Sequence, residues 1–306
     1  MTDFISVIIP TYNPNLNRLQ QTLDALKKQT IAHESWELII VDNNSGSDFS
    51  REIDYSWHAC VKLVSEPRQG LTYARLKGFD TAKGNIIVLF DDDNKPGEEY
   101  LAQTLQIFKT YPELGAAGGK SLPQFESPAP EWLNNFYENL ALRDPGESIV
   151  IGKWEHKYPE FAPVGAGMAI RKAALKTYLH KTASQTHIIH DRKGDSLSSG
   201  GDNDMVLEIT KSGWDIGYFP LLILHHIIPK QRMQVAYLAK LVHDTNISWI
   251  KVLRSHGICP WKEIPKWTVP LRKAKAWLVY GAWKNEVNYV KWKGACGVFD
   301  SLAQID

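Results

Sequence analysis

The chain of 306 residues has few cysteines and no long apolar segment. Its three cysteines, Cys60, Cys259 and Cys296, are odd in number and far apart, which gives neither a disulfide framework nor a zinc pattern and indicates a reducing compartment. No window approaches the roughly 20 apolar residues that span a bilayer. The start, MTDFISVIIP, has no basic segment followed by a long apolar one, so it predicts no signal peptide. These absences together predict a cytoplasmic protein.

The sequence also lacks a strong net charge and a dinucleotide-binding fingerprint. The net charge of +1 argues against a nucleic-acid binder, and the absence of G-x-G-x-x-G argues against a Rossmann cofactor site. The charge is unevenly spread, however. Residues 1–228 hold 22 Lys and Arg against 29 Asp and Glu, whereas residues 229–306 hold 13 against 5 and six of the 11 Trp. The contrast predicts two segments with different roles, residues 1–230 and 231–306.

Short β-branched apolar runs alternate with helical patterns in the first half of the chain. This alternation is typical of βαβ units and predicts an α/β fold with a mostly parallel central sheet flanked by helices. Ligands bind such sheets beyond the carboxyl ends of the strands. The predicted strands are residues 4–13, 36–48, 60–67 and 85–94, and the predicted helices are residues 16–29 and 71–83.

The pattern changes from about residue 115. The Gly-rich GAAGG and the Pro-bearing PQFESPAPEW predict a loop over the sheet edge. Further on, the sequence predicts a short strand entering a helix at residues 164–175, a helix ending near residue 213, and a strand at residues 216–229.

Three consecutive aspartates, Asp91, Asp92 and Asp93, follow the apolar run IIVLF. One interpretation is a solvated turn or a helix cap before the segment KPGEEYLAQTL. The other is a divalent-cation site, because carboxylate oxygens suit Mg²⁺ and Mn²⁺ and a bound cation offsets the repulsion among like charges. The residues alone leave both interpretations open.

Three further polar clusters lie at predicted strand or helix ends. Asp42 ends a strand and is predicted either to form an Asx turn or to hydrogen-bond a nucleotide. Asp202 and Asp204 precede a helix, where they serve as caps or as a general base. His225 and His226 end an apolar strand, where one is predicted to be buried and one exposed, or one completes an Asp-rich metal shell.

Six segments, taken in order, resemble the successive motifs of family 2 glycosyltransferases of the GT-A fold. They are SVIIPTYN, LIIVDNNSGSD, ARLKGFDTAKGNIIVLFDDDN, GAGMAIRKAAL, GGDNDMVLEITKSGW and YFPLLILHHIIP. The resemblance covers roughly residues 4–232. It implies a GT-A fold over residues 1–230, with residues 231–306 as a mainly helical C-terminal extension.

The resemblance implies which residues hold a nucleotide-sugar. Thr11, Tyr12 and Asp42 match the segments that hold the base and ribose in the family. Arg75 matches the Arg of the family's A-R-N-x-G motif, although Leu76 here replaces the Asn.

The aspartates and one histidine match the family's D-x-D element and its late metal ligand. Asp92 is assigned to the ribose, Asp93 to the metal and Asp91 to a second contact, which implies a Mn²⁺ or Mg²⁺ ion. His226 is the preferred metal ligand because H-x-I-P then aligns, with His225 as the fallback.

The remaining motifs concern the sugar and the acceptor. Gly165 and Gly167 match the stretch that lines the sugar and acceptor pocket. The catalytic G-E-D motif reads with Gly201 at the Glu position and Asp202 at the Asp position, so the chain keeps the candidate base but lacks the preceding carboxylate. Asp204 is one candidate to replace it.

The implied reaction is an inverting transfer. Asp202 takes a proton from an acceptor hydroxyl, which attacks the anomeric carbon opposite the nucleoside diphosphate. A UDP-sugar is the expected donor, and the acceptor is a glycan or lipid-linked carrier in cell-surface polysaccharide synthesis. The processive motif Q-x-x-R-W is absent, which predicts addition of a single sugar.

Two rival functions fit parts of the sequence. A sugar-nucleotide nucleotidyltransferase would need a Gly-rich, basic N-terminal loop, which IPTYNPN is not. An inactive nucleotide- or glycan-binding module stays open because of Gly201.

The basic, Trp-rich tail has two interpretations. One is a helical appendage packed on the catalytic domain or a homodimer contact. The other is a peripheral membrane contact through residues 267–294, because Trp and Tyr interleaved with Lys and Arg suit the lipid–water interface.

Overall fold

The computed structural model describes residues 4–184, 189, 191, 192 and 197–304. Within them, nine strands form one sheet. The strands are β1 (Ile5–Thr11), β2 (Trp36–Asp42), β3 (Val61–Ser65), β4 (Ile86–Leu89), β5 (Asn94–Pro96), β6 (Leu114–Phe125), β7 (Val150–Gly152), β8 (Ala169–Arg171) and β9 (Asp215–Ile228). Their order in the sheet is β3-β2-β1-β4-β8-β6-β9-β5, and β7 pairs with β9.

Eight α-helices accompany the sheet in the described residues. They are α1 (Leu16–Lys27), α2 (Leu71–Thr81), α3 (Tyr100–Thr110), α4 (Lys176–Ala183), α5 (Gly201–Lys211), α6 (Val235–Ser255), α7 (Val269–Tyr280) and α8 (Glu286–Leu302). Helix α1 begins where the Asn15 side chain accepts a hydrogen bond from the Arg18 amide, and α7 ends at Gly281, whose φ of +58° is the left-handed conformation that glycine favours.

The N-terminal strands form the parallel part of the sheet. Strand β1 pairs in parallel with β2 and β4, and β2 pairs in parallel with β3. Strands β1, β2 and β4 are buried along almost their whole length, as expected for strands covered on both faces. The predicted α/β fold is therefore confirmed.

The second half of the sheet is antiparallel, and it corrects one prediction. Strand β8 runs antiparallel to β4 and β6, and β9 runs antiparallel to β5 and β7. The prediction of a loop from residue 115 was wrong for residues 115–125, because the glycines belong to strand β6. Their small size is required there: a methyl group on Gly119 would lie 1.9 Å from the Leu222 carbonyl oxygen on β9.

Two hydrophobic cores cover the two faces of the sheet. Alternate residues of a strand point to opposite faces, so Ile9 belongs to one core and its neighbour Ile8 to the other. Helices α1 and α3 contribute to the first core, and α2, α4 and α5 contribute to the second. A methyl group on Gly78 of α2 would lie 2.5 Å from Ile8, so the glycine allows this helix to approach β1 closely.

The chain forms two compact units that are not contiguous in sequence. The first unit comprises residues 1–124, 142–188 and 205–227 and contains the sheet. The second comprises residues 125–141, 189–204 and 228–306. The division at residue 228 lies close to the predicted boundary at residue 230, but the second unit also takes two earlier segments.

Helices α6, α7 and α8 form most of the second unit. Helices α6 and α8 are in close contact at Gly297. A methyl group on this residue would lie 2.2 Å from the His243 carbonyl oxygen, so the glycine allows the approach. Trp277 of α7 packs edge-on against Trp292 of α8, with ring centroids 4.7 Å apart. Among the described residues, none of the helices has the length and apolar composition needed to cross a membrane.

Candidate active site

The carboxyl ends of β1, β2 and β4 meet at one edge of the sheet. Thr11 and Asp42 are register partners at the ends of β1 and β2. The Phe90 amide, directly after β4, donates a hydrogen bond to the Ile8 carbonyl of β1, which fixes the start of the aspartate loop beside β1. The buried Thr11 hydroxyl donates a hydrogen bond to Asp92 Oδ2. The edge therefore brings together three of the predicted nucleotide-sugar residues.

The aspartate loop is a tight turn closed by Asn94. Asn94 Oδ1 accepts a hydrogen bond from the Asp91 amide at 3.0 Å, and the Asn94 amide donates to the Asp91 carbonyl at 3.1 Å. Successive side chains of the turn point in different directions. The side chain of Asp92 contacts Thr11, whereas that of Asp93 is buried. The backbone thus forms the predicted turn, but the side chain of Asp93 is buried and not solvated as that interpretation required.

Strand β5 carries the loop into contact with β9. Asn94 pairs with His226 and Lys95 with His225 in the antiparallel register. His226 Nε2 consequently lies 3.3 Å from Asp93 Oδ1, and both side chains are almost fully buried. His225 is exposed. Of the two histidines, His226 is the one beside the aspartates.

Asp93 and His226 fit a divalent cation. Two adjacent ligands of an octahedral ion, each about 2.1 Å from the metal, lie about 3.0 Å apart, which is close to the 3.3 Å between Asp93 Oδ1 and His226 Nε2. Mg²⁺ is usually held by one or two carboxylates together with substrate phosphates and water. Asp93 supplies a carboxylate, His226 adds one nitrogen ligand, and the remaining positions are left for phosphate oxygens and water. Asp91 is half-buried in the same turn and could add a second carboxylate.

The loops after β1 and β2 are cross-linked around Asp42. Asp42 Oδ1 accepts a hydrogen bond from the Ser45 amide at 3.0 Å, so the side chain closes a local turn that is one residue longer than the predicted Asx turn. The Asn13 amide donates to Ser45 Oγ at 2.8 Å, and Asn13 Oδ1 accepts from the Gly46 amide at 2.8 Å. The turn fixes the carboxyl group of Asp42 at the sheet edge, so the turn and a nucleotide contact are compatible.

Asn43 is a residue that the sequence did not single out. Its buried side chain accepts from the Gly70 amide at 2.7 Å and donates to the carbonyls of Glu66 and Arg68 at 3.1 and 2.8 Å. These bonds join the end of β2 to the segment between β3 and α2. In the sequence, Asn43 directly follows Asp42 and looks like an ordinary turn residue. The sequence therefore contained no signal of this bridging role.

Glu66 and Arg68 form a second feature that the sequence did not predict. The Arg68 guanidinium donates to both Glu66 carboxylate oxygens, at 2.8 and 3.0 Å, and this pair holds the pKa of Glu66 below its usual value. The Arg68 guanidinium also lies 4.8 Å from the centre of the Tyr73 ring. The pair orders the segment that leads into α2, the helix carrying Arg75.

The other predicted donor-site residues differ in exposure. Arg75 is buried on α2, whereas Tyr12 is exposed directly after Thr11. Gly165 and Gly167 are buried where the chain enters β8. The Gly167 amide donates to the Leu89 carbonyl at 2.8 Å, and the Tyr100 hydroxyl donates to the Gly167 carbonyl at 2.5 Å. Gly167 thus lies at the end of β4, next to the aspartate loop.

The predicted catalytic segment lies in the second unit, at the start of α5. The helix begins at Gly201, and Asp202 Oδ1 accepts a hydrogen bond from the Asn203 amide at 2.9 Å. The amides of Gly200 and Gly201 instead donate to Asp191 Oδ1, at 2.9 and 2.7 Å. Asp191, which the sequence did not single out, therefore supplies the capping interaction that was one interpretation of Asp202.

Asp204 has a partner that the sequence did not predict. Its buried Oδ1 lies 2.7 Å from Nε2 of the buried His256 at the end of α6. This hydrogen bond anchors the first turn of α5 to α6.

Comparison with known proteins identifies the family. The sequence model described as glycosyl transferase family 2 matches residues 6–179, which is more than half of the 306 residues. The chain belongs to glycosyl transferase family 2.

Two curated relatives come from the archaeon Haloferax volcanii. Glycosyltransferase AglE is 32% identical over 101 residues, which are 32% of this chain and 33% of AglE. A glucosyl-dolichyl phosphate glucuronosyltransferase is 26% identical over 137 residues, which are 44% of this chain and 43% of that enzyme. The matched regions thus span less than half of either relative.

Solved structures extend the comparison over nearly the whole chain. Residues 1–349 of TarS from S. aureus superpose with a TM-score of 0.54 at 14% identity, covering 98% of this chain and 90% of the other. The same TarS fragment in complex with UDP-GlcNAc gives a TM-score of 0.55 at 13% identity, with the same coverage. This likeness confirms the predicted GT-A fold.

Proposed function

We propose that the protein is an inverting, metal-dependent glycosyltransferase that transfers one sugar from a nucleotide-diphosphate sugar to an acceptor hydroxyl. The observation that carries the proposal is the buried Asp93–His226 pair beside the Thr11–Asp92 hydrogen bond, at the carboxyl edge of a parallel sheet. Ligands of such sheets bind at this edge. A UDP-sugar is the proposed donor, supported by the fold shared with a protein solved in complex with UDP-GlcNAc.

The donor is proposed to be held by residues from several loops. Asp42 and Asp92 accept hydrogen bonds from the base or ribose, with Thr11 orienting Asp92 and Tyr12 flanking the base. Arg75 supplies positive charge, and the backbone at Gly165 and Gly167 lines the proposed sugar pocket. When bound at Asp93 and His226, with Asp91 as a further ligand, Mn²⁺ or Mg²⁺ stabilises the charge that develops on the departing diphosphate.

Asp202 is proposed as the general base. Its carboxylate takes the proton of the acceptor hydroxyl while the oxygen attacks the anomeric carbon and the bond to the diphosphate breaks. A single displacement of this kind inverts the anomeric centre. The proposed acceptor is a glycan or a lipid-linked carrier in cell-surface polysaccharide synthesis at the cytoplasmic side of the membrane.

Nucleotide binding provides the first test. We expect UDP, among UDP, GDP, dTDP and CMP, to raise the melting temperature, and to do so more strongly with Mn²⁺. At a ligand concentration of 100 times Kd the stabilisation is about 2.7 kcal/mol. Asp93→Asn and His226→Asn should lose the Mn²⁺-dependent part, whereas the exposed control His225→Asn should keep it. Stabilisation that does not depend on Mn²⁺, or is equal in all variants, would contradict the metal assignment.

The catalytic assignment needs a separate measurement. Asp202→Asn should release less than about a hundredth of the wild-type UDP per minute from the active UDP-sugar, in line with the contribution of a general base, while its affinity for UDP is unchanged. Undiminished transfer by this variant would refute Asp202 as the base.

The second unit is proposed to contact the membrane surface. Helix α7 and its flanks expose large apolar and aromatic side chains, namely Trp267, Leu271, Leu278, Val279, Tyr280 and Trp283. Positions 267, 271 and 278 repeat at helical spacing and define one apolar face. Exposed basic residues, among them Arg272 and Lys275, lie beside this face. Apolar and aromatic side chains flanked by cations suit a bilayer with anionic headgroups.

Liposome flotation tests this contact. The wild-type chain should float with vesicles containing anionic lipid and remain unbound with neutral ones. Leu271→Glu combined with Leu278→Glu should abolish flotation, whereas Leu63→Glu, an exposed apolar residue of the sheet, should not. A concentration-dependent dimer that the same double substitution dissociates would instead assign the face to a second copy of the chain.

A further inference from the structure

The start of α5 contains an unusual arrangement of a glycine and a distant aspartate. A methyl group placed on Gly201 would lie 2.3 Å from Asp191 Oδ2, far inside contact distance. The Gly201 backbone is not in the left-handed region, so conformation does not require a glycine. The requirement is steric, because the Asp191 carboxylate occupies the space that a side chain at position 201 would fill.

Asp191 is held in that space by the helix itself. Its Oδ1 accepts the amides of Gly200 and Gly201, and its side chain is buried, with 3% of the residue exposed. The first amides of a helix have no partner within the helix, and the helix dipole favours a negative charge there. A cap of this kind normally comes from the residue just before the helix, whereas Asp191 reaches it from ten positions upstream of Gly201.

Packing against α6 limits where this helix start can lie. A methyl group on Gly200 would lie 3.0 Å from Val252 and 3.5 Å from Ser248, so Gly200 is in direct contact with α6. One turn further on, Asp204 is bound to His256. In sequence, Asp202 lies between these two anchor points and directly follows Gly201, whose amide is bound to Asp191.

We propose that Asp191 is a positioning residue: it supplies to the start of α5 the carboxylate that Gly201 cannot carry, and thereby fixes the backbone from which Asp202 acts. The role as a positioning residue for catalysis rests on the proposed function of Asp202. The structural part of the proposal, that the Asp191 carboxylate takes the place of a side chain at position 201, does not depend on the role of Asp202.

If the Asp191 carboxylate occupies the space of a side chain at position 201, a carboxylate at position 201 and the one at position 191 cannot both fit. Asp191→Ala removes the cap, and Gly201→Glu in the wild-type background forces a side chain onto Asp191. Each single variant should therefore lower the melting temperature by several degrees. The double variant, Asp191→Ala with Gly201→Glu, should melt above both single variants, because the new side chain then has the vacated space.

Activity distinguishes positioning from a purely structural role. Per folded enzyme, kcat for UDP release should fall about 10- to 100-fold in Asp191→Ala, since small misplacements of a catalytic group have effects of this size. KM for the donor should change less than about threefold, because the proposed donor-binding residues belong to the first unit and Asp191 to the second. The double variant should recover most of the lost kcat, and Asp191→Asn, which keeps the hydrogen-bond acceptor, should lie between wild type and Asp191→Ala.

Two results would overturn the proposal. One is additive changes in melting temperature, which would mean that positions 191 and 201 do not share one space. The other is an Asp191→Ala enzyme whose kcat equals that of the wild type. A wild-type chain that turns over no donor would instead refute the proposed function, and the melting-temperature cycle would still decide whether Asp191 replaces the side chain of residue 201.

Discussion

Acid should weaken the fold through one buried histidine, His58. His58 packs among aromatic rings near the start of β2, with its ring centroid 4.0 Å from that of Trp36 and 5.1 Å from that of His33. Its Nδ1 accepts a hydrogen bond from the Cys60 amide at 3.1 Å, which requires that nitrogen to be unprotonated. Burial, and then the charge of His33, lowers the pKa of His58 from 6.5 to about 4.

The direction and size of the effect follow from this pKa. A group whose pKa is lower in the folded state takes up its proton more readily when unfolded, so its contribution to stability is complete above pH 6.5 and is lost as the pH falls towards 4. The loss is about 2 kcal/mol at a pH of about 5 and about 3 kcal/mol once His58 is fully protonated.

Urea denaturation followed by tryptophan fluorescence measures the loss. The free energy of unfolding is compared at a pH of about 7.5 and about 5 for the wild type and His58→Phe, which keeps an aromatic ring but cannot titrate. The decrease should be about 2 kcal/mol smaller in the variant, whatever the variant's stability at neutral pH. His225→Gln, a substitution of an exposed histidine, should behave as the wild type. An equal decrease in His58→Phe and wild type would refute the reasoning.

Two further substitutions test residues around the candidate site. Asn43→Ala removes three hydrogen bonds and leaves buried backbone groups unpaired, so the free energy of unfolding should fall by about 2–4 kcal/mol in urea denaturation; a loss below about 0.5 kcal/mol would contradict the bridging role. Gly167→Ala adds backbone strain at a φ of +76° and an overlap with Leu224 at 2.4 Å, and should cost about 2–5 kcal/mol. Gly146→Ala is the matched control, because its φ is +103° with no neighbour within 4 Å; equal losses of melting temperature would rule out the overlap.

The parallel part of the fold could be predicted because its strands carry a strong local pattern. Strands β1, β2 and β4 are apolar runs that end in polar residues, and both features are visible in the sequence. Strand β6 was missed because its glycines read as a loop. Glycine is needed at position 119 because Leu222 on another strand approaches it closely. A contact between residues about 100 positions apart leaves no local pattern in the sequence.

The candidate site shows the same division between local and distant information. Adjacent strand residues face opposite sides, so the sequence predicts that one of His225 and His226 is buried, but the register between β5 and β9 decides which. The hydrogen bond between Thr11 and Asp92 likewise depends on how β1 and β4 are paired. Asp191 is harder still, since its partner lies ten positions away without any periodic spacing.

The second unit is made from three stretches of chain that are separated by parts of the first, and this order matters during synthesis. Residues 125–141 and 189–204 leave the ribosome before helices α6 to α8, against which their unit is completed. The sheet cannot be completed earlier either, because β9, the partner of β5 and β7, is the last of the described strands to leave the ribosome. Once residues 1–230 have left the ribosome, the nascent chain therefore has its strands but lacks most of the second unit, and the segment with Asp202 is exposed to proteases and chaperones until helices α6 to α8 follow.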